Sequence, residues 1–299
     1  DNVIAIRLNN QDNPLTGPKP LKILDFNMYG GLYRKHNVVI KDKLYISNPN
    51  LARKVAGGGL FITTPKVSKE SATVSVKSHV INEYASNPTA IIRHTIFYKG
   101  KEITKAEKPL KLSKNKHVKI TPDFETTVTL TVDNPNLWHP KHPHLYRLKT
   151  EVLVDGEIVD SQLDKFGIRH FEFKGMDLYI NGEKTFLRGT NRHQEYPFVG
   201  YALSDNAQYR DAKKIKDAGF DYIRLSHYPH SPAFMDACDE LGLVVTDAIL
   251  GWQYYKDDDR FREFCYNSTR QLIRRDRNHA CILLWEASLN ETAMPEFFM

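Results

Sequence analysis

Near Gly175 the hydrophobic period of this chain changes, and that change divides what the chain can fold into. Upstream, runs such as ATVSVKSHVINEY, AIIRHTIFYKG, TTVTLTVDNP and HLYRLKTEVLVDGEIV alternate apolar and polar residues, with turns such as Asp155–Gly156 between them. Alternation at period two buries one face of each segment, the signature of antiparallel sheet. Regular strand spacing from about Val67 to Phe173 predicts one immunoglobulin-like β-sandwich. The stretch Ala56–Gly59, just ahead of Leu60, reads as a flexible joint leading into it.

Downstream, strands alternate with helices. A hairpin, DLYINGEKTFLRG, turns at Asn181–Gly182. Ser204 can then cap a helix running through Ala218 and ended by Gly219, and DYIRLSH follows as a strand. Ser231–Pro232 opens a second helix, with Phe234, Cys238 and Leu241 at i, i+4 and i+7, closed by Gly242. LVVTDAIL is the next strand. A third helix places Phe261, Phe264, Cys265, Ser268 and Leu272 on one face, and CILLWEA is the last strand. That order is β-α-β-α-β-α-β, the first half of a (β/α)8 TIM barrel. A doubly wound open sheet is disfavoured, because RGTNRH follows the first strand where a glycine-rich phosphate loop belongs. A half-barrel leaves an unpaired strand edge, and VIAIRLNN at the start reads as a strand without a preceding partner. The expectation is therefore an internal fragment of a longer protein, multi-domain β plus α/β. Its divisions are 1–60, 61–173 and 174–299.

Bulk properties exclude several classes. The formal charge of +6 comes from lysines scattered along strand-like segments without a dense basic block, so a solvated surface is favoured over a nucleic-acid partner. No apolar run approaches the roughly 18 residues of a membrane span, so no membrane partner is expected. Cys238, Cys265 and Cys281 are odd in number, far apart and set in apolar patterns, which predicts buried thiols. The compartment is left open between a bacterial periplasm and cytoplasm.

The chemistry points to the end of the last strand. Asn290–Glu291 lies just past it, and a carboxylate at the mouth of a parallel strand is where a barrel hydrolase keeps its proton donor. Taken alone, such a pair is more often a surface carboxylate. The other strand ends change that weighing. Arg188, Asn191, Arg192 and His193 cluster at the first strand, and Arg224, Ser226, His227 and Tyr228 at the second. Asp247 closes the third, followed by Trp252 and Gln253. Such sets bind sugars, with side chains forking to hydroxyls and an aromatic face meeting the C–H patch of the ring. Each residue also has a structural reading: the histidines as satisfied core groups, Trp252 as core, and Arg224 as the partner of a carboxylate such as Asp247 or Glu291. Trp138 in NPNLWHP reads as a wedge at the end of the sandwich. A zinc site from His139, His142 and His144 is disfavoured, since no cysteine or carboxylate stands at ligand spacing.

At these residues the chain resembles glycoside hydrolase family 2, which includes bacterial β-galactosidases, β-glucuronidases and β-mannosidases. The motifs that carry the resemblance are DFNMYGGLYR, NPNLWHPKHPHLYRL through FGIRHFEF, FLRGTNRHQEYP, IRLSHYPHSPAFMDACDELGLVV and RDRNHACILLW followed by Asn290–Glu291. The resemblance implies that 1–60 is the C-terminal part of a sugar-binding jelly roll. It implies that Glu291 is the general acid/base, Asn290 a contact to the sugar 2-hydroxyl, and His193 and His227 residues lining the sugar site. It likewise implies that Arg224 organises the acid/base, and that Asp25 reaches across to the sugar. The nucleophilic Glu would come from a seventh strand outside these residues, so the fragment alone is expected to be inactive. Where some members bind a divalent ion, this chain has Gly251 and Gln253, so no metal or other cofactor is expected, and Trp252 is left to shape the subsite. HQEYP leans toward β-galactosides, with β-glucuronides or β-mannosides as the alternatives and a non-catalytic carbohydrate-binding fragment as the reading from another class. A homo-oligomeric full-length protein is compatible with the resemblance.

Overall fold

The computed structural model describes residues 3–9, 11, 26–112, 123–250 and 257–288. The first short elements are β1 (Leu44–Ile46) and α1 (Pro49–Ala52). Five long strands follow in order: β2 (Leu60–Val67), β3 (Ser71–Asn82), β4 (Ala90–Tyr98), β5 (Lys101–Pro109) and β6 (Asp123–Asp133). After a small ladder of β7 (Trp138–His139) and β8 (His142–Pro143) come β9 (Tyr146–Val154) and β10 (Glu157–Phe166). One antiparallel sheet is ordered β1-β3-β2 with β6 on the other edge of β3, and a second runs β10-β9-β4-β5. Alternate residues of the two inner faces make the core: Val74, Val76, Leu130 and Val132 from one sheet meet Ile92, Ile96, Leu148 and Val152 from the other. β1 comes from the segment that the resemblance gives to a jelly roll, yet it pairs within this sandwich, with Leu44 opposite Asn82.

The period change at Gly175 appears as a change of architecture. A small antiparallel sheet of β11 (Phe171–Lys174), β12 (Asp177–Ile180) and β13 (Glu183–Lys184) turns at Asn181–Gly182. The chain then alternates β14 (Gly189–Arg192), α2 (Asp205–Asp217), β15 (Tyr222–Leu225), α3 (Pro232–Leu241), β16 (Val244–Ala248), α4 (Asp259–Asp276) and β17 (Ile282–Glu286). The four strands form one parallel sheet in the order β14-β15-β16-β17. Ser204 caps α2 through the N–H of Ala207, and Asp258 caps α4 through the N–H of Arg260. Gly242 ends α3 in the left-handed region, where a Cβ would sit 2.4 Å from the carbonyl oxygen of Pro140. Between this sheet and its helices lies a second core, in which Ile223, Leu225, Val245 and Ile282 of the strands meet Phe234 of α3, together with the buried free thiols Cys238 and Cys281.

Trp138 does not wedge the sandwich. Fully buried, it belongs to the core of the parallel sheet, and its indole N–H donates to the carbonyl oxygen of Asp239 in α3 at 2.8 Å. Stretch Ala56–Gly59 also departs from expectation. Gly57, Gly58 and Gly59 are buried, and Arg277 donates to the carbonyls of Gly57 and Gly58 at 3.0 and 2.5 Å. Its neighbour Asn278 pairs with the edge of β2 as another strand would, accepting from the N–H of Ile62 and donating to the carbonyl of Leu60, both at 3.0 Å. Arg169 completes the seam, donating to the carbonyls of Ala280 and Ile282 at 2.8 and 3.2 Å. Small residues there admit a clamp from a distant loop; flexibility is not their use.

Two outcomes follow for the full-length protein. Asn278→Ala leaves a half-buried N–H and C=O of β2 unpaired and should destabilise by about 2–3 kcal/mol, read as a lower midpoint in urea. The second concerns His279, whose Nδ1 lies 2.7 Å from the Asp239 carboxylate. Burial opposes charge on this ring, but the attraction of Asp239, its hydrogen bond, and the negative charges of Asp276 and Asp236 outweigh it and hold His279 up at about 9. A folded value above the unfolded one near 6.5 means the stabilisation is whole below that pH and lost as pH rises through 9. Stability should therefore fall by about 1–3 kcal/mol between pH 6.5 and 9, and His279→Gln should flatten that slope.

Candidate active site

Strand geometry decides which side chains gather. In a parallel sheet with helices on one face, residues one apart point to opposite sides, and the carboxyl ends of all strands open on the same rim. Arg224, in register with Thr246, faces away from the helices, and its guanidinium grips Glu286 at the end of β17. Its Nε lies 3.0 and 3.2 Å from the two carboxylate oxygens, and a terminal nitrogen makes a further close contact with Oε1. This forked pairing is the geometry that favours Arg over Lys.

Arg224 therefore does not pair with Asp247, one of the two partners the sequence offered. Asp247 stands one residue beyond Thr246 and points to the helix side, fully buried. Burial and the facing carboxylate of Asp276 push its carboxyl well above the usual carboxylate range, with Arg275 and His279 pulling the other way. Neither of its oxygens meets a hydrogen-bond donor among the described residues. Arg192 also turns to the helices. It donates to Gln208 and Asp211 of α2 at 2.9 and 2.7 Å and lies 3.9 Å over the ring of Phe234, a structural post. Arg188 precedes β14, so it stands at the opposite end of the sheet from the rim.

His193 and His227 do come together at the rim, with ring centroids 5.6 Å apart and planes nearly perpendicular. Phe26 packs against both, at 5.7 and 6.0 Å, and against Tyr228 at 5.5 Å. The hydroxyl of Tyr228 lies 3.3 Å from His193 Nδ1 and accepts from the N–H of Gln194 at 3.1 Å. Beneath it His230 is fully buried between the carbonyls of Tyr228 and Arg192, and burial pulls its ring well below the usual histidine value. The peptide between Ser226 and His227 is cis. An aromatic wall, two imidazoles and a clamped guanidinium on one rim are suited to hold a polyhydroxylated ring by stacking and hydrogen bonds.

Asp25, Trp252, Asn290 and Glu291, with Gly251 and Gln253, lie outside the described residues. Three rim residues escaped the sequence reading: Glu286, Tyr201 and Glu195. Glu286 left a misleading signal. Counting by twos from Ile282, which is buried with Val245, would put it among the helices, but an irregularity at Leu283 pairs Thr246 with Leu284 and carries Glu286 to the face of Arg224. Asp239, His279 and Cys281 also converge, their ligand atoms within 4.8 Å. Their groups are already engaged, since Asp239 accepts from His279 and from the N–H of Cys281, and burial pushes the thiol far above its ordinary value. The cluster is an ion pair.

Known proteins share this organisation. Residues 59–169 match the family model described as glycosyl hydrolases family 2, and residues 171–298 match that family's TIM barrel domain. A β-galactosidase of Thermoanaerobacter pseudethanolicus is 33% identical over 98% of this chain and 36% of its own length. For a putative β-glucuronidase of Formosa agariphila the figures are 32%, 99% and 33%. The chain thus spans about a third of the length of these curated relatives. Among solved structures, the β-glucuronidase 2 of Bacteroides uniformis, covalently bound to cyclophellitol-6-carboxylate aziridine, superposes with a TM-score of 0.72. It is 29% identical, over 81% of this chain and 28% of that one. By both domain matches and by these relatives, the chain belongs to glycosyl hydrolases family 2.

Proposed function

We propose that the full-length protein hydrolyses terminal β-D-galactosides with retention of configuration, and that this chain supplies its acid/base and much of its sugar site. The observation that carries this reading is the rim itself: His193, His227 and Phe26 beside the Arg224–Glu286 pair at the carboxyl end of a parallel sheet. Within the proposal, β14 to β17 are the first four strands of a (β/α)8 barrel, and residues 1–60 are the end of a jelly roll. Glu291 protonates the leaving oxygen while a second carboxylate, from outside these 299 residues, attacks the anomeric carbon. The covalent sugar is then released by water that Glu291 deprotonates. Asn290 and Asp25 bind hydroxyls, and Trp252 offers a ring face. Arg224 is held in place by Glu286, and the two give the rim a fixed ion pair. This chain by itself would be inactive, and no metal ion takes part. The covalent adduct named for the Bacteroides uniformis enzyme supports a retaining pathway.

A glucuronide is the second reading, favoured by the names of the Formosa and Bacteroides proteins. Aryl β-galactoside, β-glucuronide and β-mannoside compared on the full-length protein should give the highest kcat/KM on the galactoside. A preference for the glucuronide would transfer the assignment. For the acid, Glu291→Gln should cut kcat/KM on alkyl glycosides by about 100-fold or more, because general acid catalysis contributes on that scale. Activated aryl glycosides, whose leaving groups need little protonation, should suffer much less in the first step. Unchanged turnover on both substrates would remove Glu291 from that role.

A further inference from the structure

One contact set joins two pieces of chain far apart in sequence and lies beside the rim. Asn27 Nδ2 and the hydroxyl of Tyr29 both donate to the same oxygen of Glu195, at 2.6 and 2.7 Å. The Tyr201 hydroxyl donates to the carbonyl of Asn27 at 2.5 Å, and the Tyr29 and Tyr201 rings meet edge to face at 4.8 Å. The loop that receives them is itself a tight platform: Tyr196 and Gly200 exchange backbone hydrogen bonds at 2.9 and 3.1 Å. Gly200 has φ +54, and a Cβ there would come within 2.9 Å of the Tyr29 ring, so the platform leaves room for that ring.

We propose that Glu195 is a positioning residue that latches Asn27 and Tyr29 onto the loop after β14, and so holds Phe26 as a wall of the sugar site. The proposal rests on the reading above that this rim binds a sugar. Phe26 touches both His193 and His227, but nothing in its own side chain fixes the direction of the backbone that carries it. The next residue, Asn27, is tied through side chain and carbonyl together, which fixes that direction at a point covalently adjacent to Phe26. The hydrogen bond to Glu195, followed by partial burial and the carboxylate's charge, raises the Tyr29 hydroxyl above its ordinary value, so it remains a donor through the neutral range. Both donors converge on one oxygen, so an amide in its place retains the acceptor that the latch requires. The wall meets bound sugar and transition state alike, so its loss should appear in KM more than in kcat.

Three forms of the full-length protein test this: wild type, Glu195→Ala and Glu195→Gln. On the glycoside that the wild type cleaves best, Glu195→Ala should raise KM about five- to tenfold with kcat within about twofold, and Glu195→Gln should restore KM. Hydrogen exchange of the amides of residues 27–34 should quicken about tenfold in the alanine variant and stay slow in the glutamine variant. Unchanged exchange in Glu195→Ala overturns the latch, as does a glutamine variant that behaves like alanine. If the wild type cleaves no glycoside, the sugar reading fails by itself, and the exchange measurement still decides whether Glu195 holds the segment.

Discussion

A single buried carboxylate, Asp239, sits where three parts of the molecule meet. One oxygen takes the His279 ring and the other the N–H of Cys281 at the start of β17, while its backbone carbonyl takes the indole of Trp138 from β7. Burying this charge is tolerable only because each of its acceptors is filled. Helix α3, the last strand and the sandwich are thereby fixed in one frame. Around it Lys216 ties the carbonyls of Pro140 and Gly242 together, and Arg169 ties down the carbonyls on either side of Cys281. The rim is built on strands that this frame holds, so its geometry depends on contacts made at the other end of the sheet.

Much of the architecture was legible because periodicity reports burial directly. The alternation of β3, β4, β6 and β9, the strand–helix order after Gly175, and the caps at Ser204 and Gly242 follow from short-range chemistry. His193 and His227 were legible for the same reason, since both follow strands of known direction. What was hidden depends on relations between segments. Glycines at 57–59 suggest looseness until a loop more than 200 residues away fills the space beside them. Trp138 reads equally well as a plug for its own sandwich or for its neighbour, and only packing chooses.

The partners of Arg224 show how fine that limit is. Asp247 and Glu286 both stand near strand ends, and both are acidic. Alternation assigns Asp247 to the helix side, where burial disfavours its charged form, and one bulged residue, Leu283, delivers Glu286 to the rim instead. A strand without that irregularity would leave Arg224 facing Leu283 or Trp285 at the same depth. The electrostatic character of the rim is thus set by a backbone irregularity that no residue type announces.

The clamp by Arg277 and Asn278 has a consequence in time. Its partners at 57–62 leave the ribosome first, and the residues that hold them follow 216 to 220 positions later. At roughly 5–20 residues per second, that interval is on the order of ten seconds or more, during which the sandwich must stand without its seam. The edge of β2 is then an open row of donors and acceptors, available to any other extended segment nearby. A growing chain therefore passes through a stage when this sandwich is complete in sequence but not yet sealed.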